Sequence, residues 1–253
     1  IFVAFDYDLY KDRSNELADV LAQSLEGAER FHGSRDYFQI VIEDIVFELI
    51  PILKIENSFD ALNITDASPL HSKWLVEKSD ENMRDQIRLT KAFCKAHRMY
   101  GAESYIKGFS GYVLEILTVA SGGFLPLLTK AAKWKSQIVI DFEKHHKHIE
   151  FEVDAAKMQG PLVVIDPVQP GRNAAAALGF EVFEKFVDLS KKYVKSPSVE
   201  LFDREVIDVE SYKKKGALIF RGVAEEGKRD IVGCRLEKVY EQMLLLCKQH
   251  DFE

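Results

Sequence analysis

Glu48 lies in IVFELIPIL, a run that is otherwise apolar: Val46 and Ile50 share its side of an extended chain, and Ile45, Phe47 and Leu49 the other. A carboxylate placed there is costly to bury unless a cation or hydrogen bonds compensate it. A divalent metal would serve, and so would a structural arginine. Lys91 falls on the stripe Met83, Ile87, Lys91, Cys94 at helical spacing, where it either reaches out to solvent or holds an anion. His71, just inside a short helix after Ser68-Pro69, can donate to a phosphate or close a turn. Arg172, in PGRNAAAA, stands at an expected helix entrance with Asn173 as cap. Free N–H groups and a guanidinium together suit a phosphate, and a pair with Asp166 is the structural alternative. Tyr100 opens YGAESYIKGFSGY, whose aromatics and glycines suit either a flat ligand or a packed helix corner.

Two other groups carry less. In HHKH (residues 145–148) the sequential histidines would point apart on a helix or a strand, so a solvated charged loop is expected rather than a metal site. The lysines at 213–215, with Lys191, Lys192 and Lys195, make an RNA-contacting patch only if the fold gathers them on one surface.

The elements that must position these residues read in order along the 253-residue chain. Residues 1–55 pattern as strand (IFVAF), helix (about 14–30) and a hairpin of YFQIVIE with IVFELIPIL. NSFDALNITDASP (57–69) reads as a linker. Helices follow over 70–78, 82–97, 110–120 and 124–134, the last two broken apart by Gly122 and Gly123. Residues 144–157 read as an exposed charged excursion, and PLVVIDPVQPGRNAAAALGF as a β-like run, a Pro-Gly turn and an alanine-rich helix start. A helix over 181–193 comes next, then strand (VELF), helix (209–215), strand (ALIFRGV) and a long helix (236–250).

Apolar content of 47% with 30% charge is that of a globular protein, and a net charge of -7 argues against non-specific coating of nucleic acid. Three widely spaced cysteines make neither a disulfide framework nor a zinc site and fit a reducing cytoplasm. No apolar run reaches membrane-spanning length and no signal peptide is visible, so neither membrane nor export is expected. Ile1 opens directly on a core-like strand, from which a fragment of a longer chain is expected.

The ordered set FELIPILKIEN, SPLHSKWL, RLTKAFCKA, MYGAESYIKGFSGYVLEIL, GGFLPLLTKAAKW and VVIDPVQPGRNAAAALGF resembles the archaeal, class I, CCA-adding tRNA nucleotidyltransferases over most of the chain. The resemblance implies an α+β protein. A partial polymerase-β-like head would occupy 1–56, a helical neck 57–197 and the start of an α+β body 198–253, with the tail absent. It also implies addition of C, C and A to the tRNA 3′ end from CTP and ATP, in the cytoplasm, with Mg²⁺ as cofactor. The acceptor end of tRNA would be the partner, and a homodimer stays open.

By the same resemblance Glu48 matches the third metal-binding carboxylate, usually an aspartate. Ser68 (usually threonine), His71, Lys91 and Tyr100 match contacts to the triphosphate and sugar, and Arg172 matches an arginine that helps select the base. The family's other two carboxylates would precede Ile1, so this chain by itself is expected to be inactive. A related poly(A)-polymerase-like nucleotidyltransferase and a non-catalytic RNA-binding protein are the alternatives.

Overall fold

The computed structural model describes residues 1–135, 137–204, 208–217, 219–223 and 229–250. The chain divides into two compact units. The first takes residues 1–80, 141–147 and 165–172, and the second takes 81–140, 148–164 and the chain from 173 onward. One crossing between the two units falls at Asp80/Glu81.

The first unit begins with β1 (Phe2–Phe5), α1 (Tyr7–Tyr10), a 3-10 segment (Lys11–Glu16) and α2 (Leu17–Ala22). The single helix expected over 14–30 is not formed. Asp6 caps α1 by accepting from Leu9 N at 3.1 Å, and Arg13 departs from helical geometry (φ -126°, ψ 26°). Leu17, Ala18 and Leu21 nevertheless face inward, at the spacing of one helix face. Arg30, the expected helix end, lies instead in a strand missed by the sequence reading, β2 (Glu29–Phe31), paired antiparallel with β3 (Tyr37–Ile42).

The expected hairpin is present: β3 pairs antiparallel with β4 (Ile45–Leu53), Ile42 opposite Ile45. Glu43 and Asp44 both take left-handed backbone (φ 49° and 65°), the geometry of a two-residue turn that matches strand twist. β1 joins the other edge of β4 in parallel, giving the order β1-β4-β3-β2. Phe38, Ala18 and Leu21 form its core with Val3, Phe5, Leu25 and Leu49 packed around them.

Residues 57–67 are more ordered than a linker. They make two 3-10 turns, Ser58–Asp60 and Ile64–Ala67, the second closed by a reciprocal cap between Asn63 and Asp66. Asp66 is fully buried and paired with the buried Arg35. Its carboxylate also accepts from the backbone N–H groups of Leu53 (2.9 Å), Leu62 (3.2 Å) and Asn63 (2.9 Å), and Arg35 in turn donates to the Pro51 carbonyl at 3.2 Å. α3 (Ser68–Lys78) runs straight on from this knot.

The second unit contains α4 (Glu81–Ala96), α5 (Gly111–Ser121), α6 (Phe124–Ala131), β5 (Ile138–Ile140), α7 (Ile149–Glu152) and β6 (Leu162–Val164). α8 (Phe180–Lys195), a 3-10 turn (Val199–Phe202), α9 (Val209–Lys214) and α10 (Arg229–Gln249) complete it. Phe93 of α4 lies at its centre, with ring centroids of Phe124, Tyr193 and Phe202 at 5.7, 5.9 and 5.7 Å in edge-on geometry. Gly122, left-handed at φ 88°, ends α5 and lets the chain reverse into α6. β5, not anticipated, pairs in parallel with β6.

Three expectations fail here. Residues 174–177 form turns rather than a helix start. VELF is a 3-10 turn, and ALIFRGV is not a strand at 217 or 219–223, residue 218 lying outside the described residues. Among the described residues no single helix is long and apolar enough to cross a membrane.

Because Asp66 joins three backbone N–H groups and a buried guanidinium, Asp66→Ala is expected to destabilise the first unit by about 3–5 kcal/mol. Urea titration of the chain measures this. A loss under about 1 kcal/mol would show that the knot is incidental.

Candidate functional site

In the first unit two basic side chains meet at one carboxylate. Asp166 is completely buried; Arg172 Nη1 donates to its Oδ2 at 2.7 Å, and His71 Nε2 stands 3.2 Å from the same oxygen. The other oxygen accepts from Val168 N (2.9 Å) and Gln169 N (3.2 Å), an Asx-type turn that shapes DPVQPG. Burial alone would raise the Asp166 carboxyl. The bond and charge from His71, then the Val168 N–H and Arg172, outweigh burial and hold it down to about 2. Arg172, predicted as a phosphate ligand with Asp166 as alternative, is thus paired with Asp166 while its side chain stays 37% exposed.

Asn173 does not cap a helix. Its side-chain oxygen accepts from Val164 N and Ala175 N at 3.0 and 2.9 Å, and so ties the end of β6 to the turn after it.

The loop carrying Arg172 is braced by two histidines of the expected solvated loop, His145 exposed and His146 half-buried. His145 Nε2 pairs with the Pro167 carbonyl and His146 Nε2 with that of Pro170, each at 2.9 Å. Asp141 holds the His146 N–H at 2.9 Å. On the far side of the same segment Glu143 accepts from Trp74 Nε1 at 2.7 Å and pairs with Lys78 at 2.9 Å, while Phe142 packs edge-on against Trp74. α3, which carries Ser68 at its first position and His71 one turn later, is therefore clamped along its length.

Glu48 is exposed, against the expectation of a desolvated carboxylate. β4 is buried only from Pro51 onward, and Glu48 faces its cross-strand partner Gln39, whose Nε2 donates to it at 2.9 Å. Among the described residues no group of three or more His, Cys, Asp or Glu side chains is arranged to hold a metal ion.

The second unit brings Lys91 and Tyr100 together at the start of α5. A β-carbon on Gly111 would lie 2.8 Å from Tyr100 Oη, too close unless that side chain shifts, and 3.7 Å from Lys91 Nζ, an ordinary contact, so glycine leaves room for the Tyr100 hydroxyl. Ser110 caps α5 by accepting from Val113 N at 3.2 Å. The backbone of Tyr100 is fixed by the neighbouring bonds Gly101 N to Phe109 O and Phe109 N to Met99 O, both 2.8 Å. Lys91 is not a free cation: Glu115 of α5 holds its Nζ at 2.5 Å. Lys95, one turn on along α4, places its Nζ 4.7 Å from the Tyr100 ring centroid. Sequence reading singled out neither Glu115 nor Lys95, although both sit four residues from a residue it did single out, Gly111 and Lys91.

Residues 85–203 match the family model "tRNA nucleotidyltransferase, second domain". The chain is 34% identical over 227 residues to a CCA-adding enzyme of Nanoarchaeum equitans, covering 88% of this chain and 56% of that protein. It is 31% identical over 268 residues to one of Methanococcus maripaludis, covering all of this chain and 60% of that protein. The chain therefore spans a little over half the length of the curated relatives it matches. A solved structure described as that of a cytoplasmic RNA terminal U-transferase superposes with a TM-score of 0.53 at 10% identity, over 81% of this chain and 80% of that one. That likeness shows a shared α+β nucleotidyltransferase fold and nothing finer. By sequence along its whole length and by its second-domain match, the chain belongs to the tRNA nucleotidyltransferase family that includes the archaeal CCA-adding enzymes.

Proposed function

We propose that the protein containing this chain adds C, C and A to the 3′ end of tRNA from CTP and ATP, in the cytoplasm, by metal-dependent phosphoryl transfer. The observation that carries this reading is the convergence of Lys91 and Tyr100 on Gly111, whose missing β-carbon leaves room for the Tyr100 hydroxyl, inside the matched second domain. On this reading residues 1–56 belong to a catalytic head, 57–197 to a neck and 198–253 to a body.

The reaction joins the tRNA 3′-hydroxyl to the α-phosphate and releases pyrophosphate, so the protein's task is orientation and charge stabilisation rather than covalent chemistry. Lys91 supplies an ammonium and Tyr100 a phenol for the triphosphate and sugar. Ser68 and His71 at the start of α3 are proposed as further contacts of the same class. Arg172, aimed by Asp166 and carried on the braced loop, presents its exposed edge to the incoming base.

Glu48 is proposed as one carboxylate of a Mg²⁺ site. The family's ion would supply charge neutralisation at the phosphates, but one exposed carboxylate hydrogen-bonded to Gln39 does not by itself make a divalent-metal site.

Two outcomes check these assignments. Lys91→Ala should weaken CTP and ATP binding about tenfold or more, as loss of a charge-assisted contact does. Calorimetry on the chain reads this, with tRNA binding followed in parallel by filter retention. Equal loss of both would assign Lys91 to folding. The second outcome concerns acid. Since Asp166 is depressed in the folded protein, its stabilisation is complete above its ordinary value of 3.8 and fades as pH falls through about 2. Asp166→Asn should therefore cost about 2 kcal/mol at neutral pH. The gap to wild type should close between about pH 4 and 2, and a gap independent of pH would refute the ionic role.

A further inference from the structure

The Lys91–Glu115 pair raises a problem for a phosphate site. Both side chains are largely buried, 24% and 17% exposed, and their charged atoms are 2.5 Å apart. A polyphosphate arriving at Lys91 meets an ammonium already neutralised, with a carboxylate one side chain away. Glu115 lies one helical turn beyond Gly111 on the same face of α5, the face that Lys91 and Tyr100 approach. The acid thus sits beside the two side chains that approach Gly111.

We propose that Glu115 is a positioning residue that aims Lys91 and, by keeping the pair near neutral, limits how tightly the site grips a polyphosphate. This rests on the reading of Lys91 and Tyr100 as triphosphate contacts. The physical grounds are two. A flexible four-carbon lysine held by a carboxylate loses less freedom when a ligand arrives, which favours a defined geometry. A negative charge a few ångströms from the bound phosphates lowers anion affinity through Coulomb repulsion that solvent screens poorly at a part-buried site. Ligand is then oriented without being trapped, and the released pyrophosphate meets the same repulsion. Lys95, held over the Tyr100 ring at 4.7 Å, keeps the surroundings from becoming net negative.

The test titrates inorganic triphosphate and, separately, CTP into the full chain by calorimetry, comparing wild type, Glu115→Gln and Glu115→Asp, with folding verified by circular dichroism. Glu115→Gln should bind triphosphate about tenfold more tightly, the equivalent of removing one nearby like charge. Glu115→Asp, which keeps the charge, should stay within about threefold of wild type. If wild type binds CTP, Lys91→Ala abolishes that binding and Glu115→Gln leaves triphosphate affinity unchanged or weaker, this inference alone is overturned. If no folded form binds CTP or triphosphate, the assignment of Lys91 fails as well.

Discussion

Asp66 accepts hydrogen bonds from Arg35 and from the backbone N–H groups of Leu53, Leu62 and Asn63, and much of the first unit follows from satisfying that one buried acid. The four donors come from the loop before β3, the end of β4 and the turn that leads into α3. A buried carboxylate left short of partners is strongly unfavourable, so these segments are held to one mutual arrangement. The net stability gained from such a pair over an apolar substitute is small. What it does secure is specificity, since α3 starts two residues later and inherits its position from the knot. Ser68, His71 and Trp74 take their places from there.

The same device recurs at two other long cationic side chains among the described residues. Asp66 holds Arg35, Asp166 holds Arg172 beside His71, and Glu115 holds Lys91. In each case a buried or part-buried acid fixes the direction of a long side chain, removing much of the rotamer entropy that binding would otherwise have to overcome. The three differ in exposure, and exposure decides role. Arg35 is buried and structural, whereas Arg172 and Lys91 retain accessible edges that a ligand can reach.

Hydrophobic packing does the remaining positioning. In the second unit the ring cluster around Phe93 locks α4 to α6 and α8, while a hydroxyl pair between Thr90 and Thr118 at 2.9 Å ties α4 to α5 in the core. Lys91 and Glu115 extend outward from that α4–α5 contact, so the ion pair sits on a rigid seam rather than on a mobile loop.

The amino-acid sequence by itself determined the α+β class, the β3–β4 hairpin, helices α3 to α6 and α8, the glycine break after α5 and the family, because those features rest on local periodicity, turn chemistry and a long ordered set of motifs. It also picked out Lys91, Tyr100, His71 and Arg172 from residue type and spacing. It misjudged Glu48 as buried, since strand alternation does not say which end of a strand the core covers. The loop at 145–148 is open to solvent as expected, with His145 exposed and His146 half-buried, but the ring partners of both histidines, the Pro167 and Pro170 carbonyls, were not legible because they are more than twenty residues away. Tertiary structure alone decided that His71 and Arg172 share Asp166, that Glu115 closes on Lys91, and that VELF turns rather than extends. Those outcomes depend on pairings between distant segments, whose desolvation and hydrogen-bond requirements are settled only when the chain has closed upon itself.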